Sequence, residues 1–511
     1  MAKYEIKDGV GIIPQGTTKI EDCAFEKCKD LTSVTIPESV KEIGDSAFEG
    51  CIDLTNIVIP NSVTKIGAYA FRDCTDLTSI VIPNSVESIG KAAFWGCAHL
   101  KSIVIPAKVT KIDDLTFSDC TRLTEIVIPD TVTSIGEYAF SNCSGLTSIV
   151  IGNSVEKIGA DAFGNCSSLT SIVIPNSVTS IGQKAFGNCS SLTSIIIPNS
   201  VTSIGQKAFS NCSGLTSIGI GNSVKYIGPY AFEKCSSLTS IVIPASVTNP
   251  IGIEYPRYYS NDFYTLFEGC TSLNSIRVAE GNPLYDSRDN CNAIIDTKRN
   301  VLVLGCKTTT IPKSVTRIYK WAYSKEITSI VIPEWITYVY PKAFRGCPNL
   351  TSVRVAEGNP VLDSRNDCNA IIETESNTLL CGFPMTIIPD SVIYIEKAAF
   401  YVCRGMNSVT IPDKVKEIGD DAFKGCPDLK SVIIGKSVKY IGSGAFDGLY
   451  NLETITFKGK VKEVSRKTIS SRDKLKTIYV LSKYKSYYAD SLGGWPLDKL
   501  IVELPEEKKK K

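Results

Sequence analysis

The chain has 511 residues, and its 55 Lys plus Arg against 53 Asp plus Glu leave a formal charge of only +2. That balance excludes a field strong enough to steer the whole molecule toward nucleic acid or an anionic membrane. No stretch gathers the roughly 20 apolar residues of a spanning helix, and with His99 the one histidine, neither a Ser-His-Asp set nor an HExxH motif can be assembled.

Residues 1–22 read as an N-terminal cap. Val10, Ile12, Ile13 and Pro14 stand in for one strand and Ile20 for another, while Lys3, Glu5, Lys7 and Asp8 guard an open sheet edge. No apolar run of signal-peptide length opens the chain. Two expectations follow: a secreted chain that begins after a removed signal, or a cytoplasmic protein.

From 23 to 248 the sequence repeats. Phe25, Phe48, Phe71, Phe94, Phe117, Phe140, Phe163, Phe186, Phe209 and Phe232 follow one another at 23 residues, which marks a solenoid of stacked supersecondary units. Phe267, Tyr323, Phe344, Phe400, Phe423, Phe446 and Ile469 continue the series at wider and then regular gaps, for seventeen coils in all. Within Leu169 to Cys189, Thr170–Ile174 alternates as a half-buried strand does, and Val178–Ile181 repeats the pattern on a second side. Pro175 and Asn176 turn the chain between them. Gly182 ends the second strand, and Gln183–Asn188 is long enough for one helical or 3-10 turn that drives Phe186 inward.

One coil cannot bury its apolar residues alone, whereas a stack sets Leu on Leu, Ile on Ile and Phe on Phe. At about 4.8 Å between strands, seventeen coils make a curved rod roughly 80 Å long. Small departures mark single coils: Thr116 replaces Ala, Gly152 and Gly221 replace Pro, and Gly219 is expected to interrupt a strand.

The pattern Leu-x-x-Ile-x-Ile-Pro-x-x-Val-x-x-Ile-Gly-x-x-Ala-Phe-x-x-Cys, whole at Leu77–Cys97 and Leu192–Cys212, resembles that of the BspA-like leucine-rich repeat proteins. The resemblance covers nearly the whole chain. It implies a right-handed leucine-rich-repeat solenoid, mainly β with short helical or 3-10 turns, and an adhesin-like or ligand-binding role at a cell surface or in secreted form.

Most of the nineteen cysteines sit three residues after the Phe, from Cys28 and Cys51 through Cys235 and again at Cys270, Cys347, Cys403 and Cys426. Neighbours in such a row stand near the strand spacing of about 4.8 Å. A disulfide needs its Cβ atoms roughly 3.5 to 4.5 Å apart, so the expectation is a ladder of buried free thiols. Without a CxxC pair or a Cys-His cluster, neither a metal nor a cofactor is expected.

Two surfaces are candidates for binding. On the first strand the outward position is Val58, Val81, Val104, Val127, Val150, Val173, Ile196 and Val242, with Ser beside it in most coils. If alternation holds, these side chains form an exposed apolar stripe that either binds a partner or reflects the fit of Val to a pleated surface. The second surface is an insertion at 249–266, where Tyr255, Arg257, Tyr258, Tyr259, Phe263 and Tyr264 form the densest aromatic cluster in the chain. Tyr and Arg are residues of binding hot spots, and tyrosine faces also suit sugars. The bland alternative is that these rings cover a break in the ladder.

Residues 267–470 resume the repeats with insertions at 279–311 and 356–388, each opened by an Ala-Glu-Gly-Asn-Pro run. Their strand patterns predict hairpins, Ala293–Asp296 with Val301–Leu304 and Ala370–Glu373 with Thr378–Cys381. Asp286 with Asp289 and Asp363 with Asp367 lack the glycine spacing and carboxylate count of a calcium loop and read as turn caps. Between the insertions, the coil at Tyr323 lacks its Cys and two residues, which predicts a kink. Residues 471–511 read as a C-terminal cap with a helix at Lys483–Asp490 and a basic tail at Lys508–Lys511; the ending resembles that family's terminal cap, which implies that the helix and a Trp, here Trp495, close the open core.

Together these readings predict a non-enzymatic scaffold for a macromolecule, with a protein ligand first. A carbohydrate-binding surface module and a cytosolic interaction solenoid are the alternatives.

Overall fold

The computed structural model describes residues 3–248, 266–319, 327–344, 347, 349–462, 468, 474–491 and 501–504. The chain forms a leucine-rich-repeat β-solenoid, divided into two units, Met1–Asp286 and Ser287–Lys511.

In the first unit most coils are hydrogen-bonded to the next along three sides. The first side is a parallel ladder in strict 23-residue register, such as Val127 opposite Val150 and Ile195 opposite Ile218. It is shorter than predicted. Paired strands run at 33–35 with 56–58, 125–127 with 148–150, 194–197 with 217–220 and 240–243 with 275–278. Around Thr170 single bonds hold the coils, its N–H reaching Thr147 O at 3.4 Å and its carbonyl accepting from Thr193 N–H at 3.2 Å. Burial still alternates there, with Ile172 and Ile174 inside and Val173 outside.

The second side is also short. Only Ser180–Ile181 of the predicted Val178–Ile181 is paired, because Val178 N–H is spent closing the Pro175 turn at 3.1 Å. On the third side, Gln183–Asn188 is built from successive turns and never extends into a helix. Ala185, Gly187 and Cys189 donate to the carbonyl three residues back, while Lys184, Phe186 and Asn188 donate to the following coil at 2.7 to 2.8 Å. Lys184 and Asn188 take φ of +50 and +62 degrees, which points every second N–H along the stack.

Inside, the rows predicted from the repeat pack like on like. Phe25 through Phe232, and then Phe267, stack with ring centroids 5.3 to 5.9 Å apart. Each of the ten regular ones is fully buried. Tyr4 closes the column 5.6 Å from Phe25. Val10–Ile12 and Lys19–Ile20 supply the two strands of the first coil, as expected. Glu5–Lys7 adds an antiparallel partner to Val10–Ile12 that the sequence did not reveal, and so covers the edge itself. Thr116, fully buried in an Ala position, donates its hydroxyl to Asp113 O at 2.7 Å. Gly219 does not interrupt its strand, since Ser217–Ile220 runs through it.

All nineteen cysteines are free thiols. They do more than fill space. Cys51, Cys74, Cys97 and their successors to Cys235 each donate S–H to the carbonyl of the preceding coil's Phe, from Cys51 to Phe25 O at 3.0 Å through Cys235 to Phe209 O at 3.1 Å. A small side chain with a weak donor suits a buried carbonyl. Cys23 is exposed, Cys28 is half-buried, and the other seventeen are buried. With a thiol-specific chromogenic reagent at pH 8, the native protein should titrate one fast and one slow thiol and, once denatured, all nineteen. More than about three reacting while folded would contradict the ladder.

In the second unit, the predicted hairpins form at Ala293–Asp296 with Val301–Gly305 and Ala370–Glu373 with Thr378–Gly382. Each returns a strand to the solenoid, Val301 pairing in parallel with Arg317 and Thr378 with Tyr394. Phe400, Phe423 and Phe446 resume the ring column at 4.7 and 5.4 Å. The coils expected around Tyr323 and Ile469 are centred outside the described residues, as are Trp495 and the tail. The helix appears as a 3-10 turn at Ser482–Tyr484 and an α-helix, α1, at Lys485–Ser491. It seals the core with Tyr488, whose ring lies 4.6 Å from Phe457 and whose hydroxyl donates to Gly459 O at 2.7 Å.

Candidate binding face

The outward face of the first unit's first strand carries the stripe. Strand alternation sends Ile inward on both sides of each Val, so the Val projects into solvent. Val127 and Val150 are 60 % exposed, Val173 80 % and Ile196 76 %, and the stripe continues through Val58, Val81 and Val104. These are large exposures for β-branched side chains, and three of the four largest in the stripe, at Val81, Val104 and Val173, fall in coils without a paired first strand. Gly219 opens a gap before Val242, and Arg277, opposite Val242, ends the row.

The rows beside the stripe are polar but nearly uncharged. Thr32 and Thr55, and later Thr124 through Thr239, each hand their hydroxyl to the carbonyl of the equivalent residue one coil back at 3.0 to 3.4 Å. Their rotamers are thereby fixed. From Thr32 to Val242 the Thr, Ser and Val rows contain two charged residues, Lys101 and Glu125. Both are exposed, and among the described residues neither makes an ion pair. The face is therefore rigid, largely neutral and periodic.

Tyr255, Arg257, Tyr258, Tyr259, Phe263 and Tyr264 lie outside the described residues, and the structure does not bring them together with the stripe. His99 sits half-exposed and donates its Nδ1 proton to Thr75 O at 2.7 Å. Asp363 holds the Arg365 side chain, accepting from Nε at 2.8 Å, and also accepts from Arg365 N–H at 3.1 Å. It is a turn cap, as its sequence context indicated. Among the described residues no group of three or more His, Cys, Asp or Glu is gathered as a metal would require. No helix there is long and apolar enough to cross a membrane.

The structure also shows partners that spacing alone did not mark. Arg72 lies 4.1 Å from the Trp95 ring centre, and its Nη1 meets Glu49 Oε1 at 3.2 Å. Trp95 in turn donates to Asp119 at 2.8 Å. The 23-residue step from Arg72 to Trp95 was the available signal. Asn359 binds Pro333 O and Ile336 O at 3.0 and 2.9 Å through Nδ2 and accepts from Val361 and Leu362 N–H through Oδ1. Asn282 does the same at the first insertion. This is the physical reason for the Asn in both Ala-Glu-Gly-Asn-Pro runs: one amide closes the last coil and starts the next turn.

A family model described as BspA type leucine rich repeat region matches residues 11–124, 41–170, 156–254, 302–366 and 379–492. The chain belongs to the BspA-type leucine-rich repeat family. Solved structures resemble this BspA-type chain along most of its length. A leucine-rich repeat protein from Bacteroides ovatus is 24 % identical, with 93 % of this chain and 94 % of that one covered and a TM-score of 0.42. The pneumococcal vaccine antigen PcpA is 20 % identical over 79 % and 89 %, at 0.43. A leucine rich cell surface protein from Faecalibacterium prausnitzii is 22 % identical over 85 % and 91 %, at 0.30. No curated protein matches significantly.

Proposed function

We propose that this BspA-type chain is a non-enzymatic adhesion scaffold at a cell surface that recognises a protein through the outward first-strand face of residues 58–196. The observation that carries this reading is the unbroken row of exposed β-branched side chains along this side, where short paired strands alternate with single inter-coil hydrogen bonds and most coils add a threonine hydroxyl bonded to the coil before. Soluble monomers rarely expose contiguous apolar patches beyond a few hundred Å² unless they bind something. A face tied from coil to coil by hydrogen bonds loses little conformational entropy on docking, which favours recognition by area. The near-neutral face fits a protein surface better than a polyanion.

A second reading assigns binding to the aromatic insertion. It is favoured by the concentration of Tyr255, Tyr258, Tyr259 and Tyr264 in so few residues, and its natural ligand is a glycan. Immobilised purified extracellular-matrix proteins and a glycan array, probed with wild type, with Val127→Lys/Val150→Lys/Val173→Lys and with Tyr258→Ala/Tyr259→Ala, separate the two. The face reading expects protein binding that is insensitive to salt and at least about tenfold weaker in the lysine triple variant. Glycan binding lost only in the tyrosine pair would overturn it.

A further inference from the structure

We propose that the protein bound by this face is a second copy of the same chain, so that adhesion is homophilic. The inference rests on the face reading above and names its partner. Three observations point to self-recognition. The first is period: two identical stripes share one repeat of about 4.8 Å, so every Val of one copy can meet a Val of the other without a register penalty.

The second observation is area. Val58 through Ile196 are between 60 and 80 % exposed, on the order of 100 Å² for each side chain. With the flanking Thr and Ser rows, this gives roughly 800 Å² per copy, the amount a stable two-protein interface buries.

The third is charge. The only charged residues in these rows, Lys101 and Glu125, have opposite signs and stand on adjacent coils. A two-fold axis running along the strands between Val104 and Val127 lays Val104 on the other copy's Val127 and Val81 on its Val150. The same axis sets Lys101 of each copy beside Glu125 of the other, twice per dimer. An isologous contact requires such self-complementarity, and a like-charged face would repel itself. Here the two lone charges become mutual partners.

Sedimentation velocity of the full chain tests this. Wild type should pass from monomer to dimer between about 1 and 100 µM. Val104→Lys with Val127→Lys should remain monomeric throughout, with circular dichroism and native thiol count unchanged. Lys101→Glu alone and Glu125→Lys alone should each weaken the dimer roughly tenfold, and the double exchange should restore it to within about threefold of wild type. A wild type that stays monomeric at 100 µM, or charge exchanges whose effects add, would overturn the homophilic inference. Monomeric wild type whose binding to an immobilised matrix protein is lost in the lysine variants would overturn it while leaving the face reading in place. A dimer unaffected by the lysine variants would overturn the homophilic inference, and matrix-protein binding equally unaffected by them would overturn the face reading as well.

Discussion

Raising the pH from 8 to 11 should unfold the first unit cooperatively, with the transition between about pH 9.5 and 11. The cause is the thiol ladder. Burial pushes the Cys51, Cys143 and Cys212 thiols up to about 12 from an ordinary 9.0 and drives Cys74, Cys120, Cys166 and Cys189 well above that value. Cys97 is raised by burial too, and Cys235 first by its hydrogen bond with Cys270 and then by burial. In the unfolded chain these thiols ionise from about pH 8.5, whereas in the fold they stay protonated. Their contribution is therefore complete below pH 8.5 and falls as pH rises through 9 toward 12. Each thiol costs about 1.4 kcal/mol per pH unit over that interval, and nine together give roughly 12 kcal/mol per unit. A domain's whole stability is about 5 to 15 kcal/mol, so about one unit above the onset exhausts it. Circular dichroism against pH measures the transition, and urea midpoints between pH 8.5 and 9.5 measure its slope. Cys120→Ala/Cys143→Ala/Cys166→Ala should lower the slope by about three protons, whatever it does to stability at pH 7. A fold intact at pH 11.5, or a slope unchanged in the triple variant, would refute the assignment.

The repeat made most of this fold legible, for a definite physical reason. When each coil is too small to hold a core, inward positions must repeat at the coil length, so Phe186, Leu192 and Cys189 announce their burial by recurring. The same logic exposed the stripe, since Val173 lies between two inward Ile residues. Period says nothing about hydrogen on sulfur, and the bond from Cys189 to Phe163 O needed coordinates. Nor does it foretell the two left-handed residues per turn, because Lys184 and Asn188 are common surface residues whose φ is imposed by the neighbouring coil. The Glu5–Lys7 strand escaped notice because two turns of alternation are too few to stand out. Whether the stripe binds anything is a question of what it meets, which no periodicity encodes.

One coil breaks the pattern where a side chain enters a space made for hydrogen. Gly136, Gly159, Gly182 and Gly205 pack so that a Cβ on Gly182 would lie 2.5 Å from Gly159 C and 2.6 Å from its O. Those are backbone atoms that cannot swing aside. The equivalent position one coil before Gly136 is Asp113, and there the second-strand ladder stops: one sheet ends at Ser88–Ile89 and the next begins at Lys111–Ile112. Gly182 N–H reaches Ile158 O at 2.9 Å and Thr133 N–H reaches Thr110 O at 2.9 Å, but neither bond has a counterpart at Asp113 or Thr110. The Phe94 and Phe117 rings are still only 5.5 Å apart, so the coils part at this corner alone. Gly182→Ala should therefore lose two inter-coil bonds at about 1 kcal/mol each and add overpacking of about 1 to 3 kcal/mol, for a total of about 2 to 4. Asp113→Gly should do the reverse and stabilise by about 1 to 2 kcal/mol. The Lys111–Asp113 contact it removes, 2.9 Å long with an exposed lysine and a half-buried carboxylate, is worth less than the two bonds together. Urea unfolding read together with amide exchange at Thr179 and residue 182 for the first variant, and at Thr110 and residue 113 for the second, measures both. If Gly182→Ala stays within about 0.5 kcal/mol of wild type, or Asp113→Gly leaves exchange at Thr110 unchanged, the break in the ladder has a cause other than that Cβ.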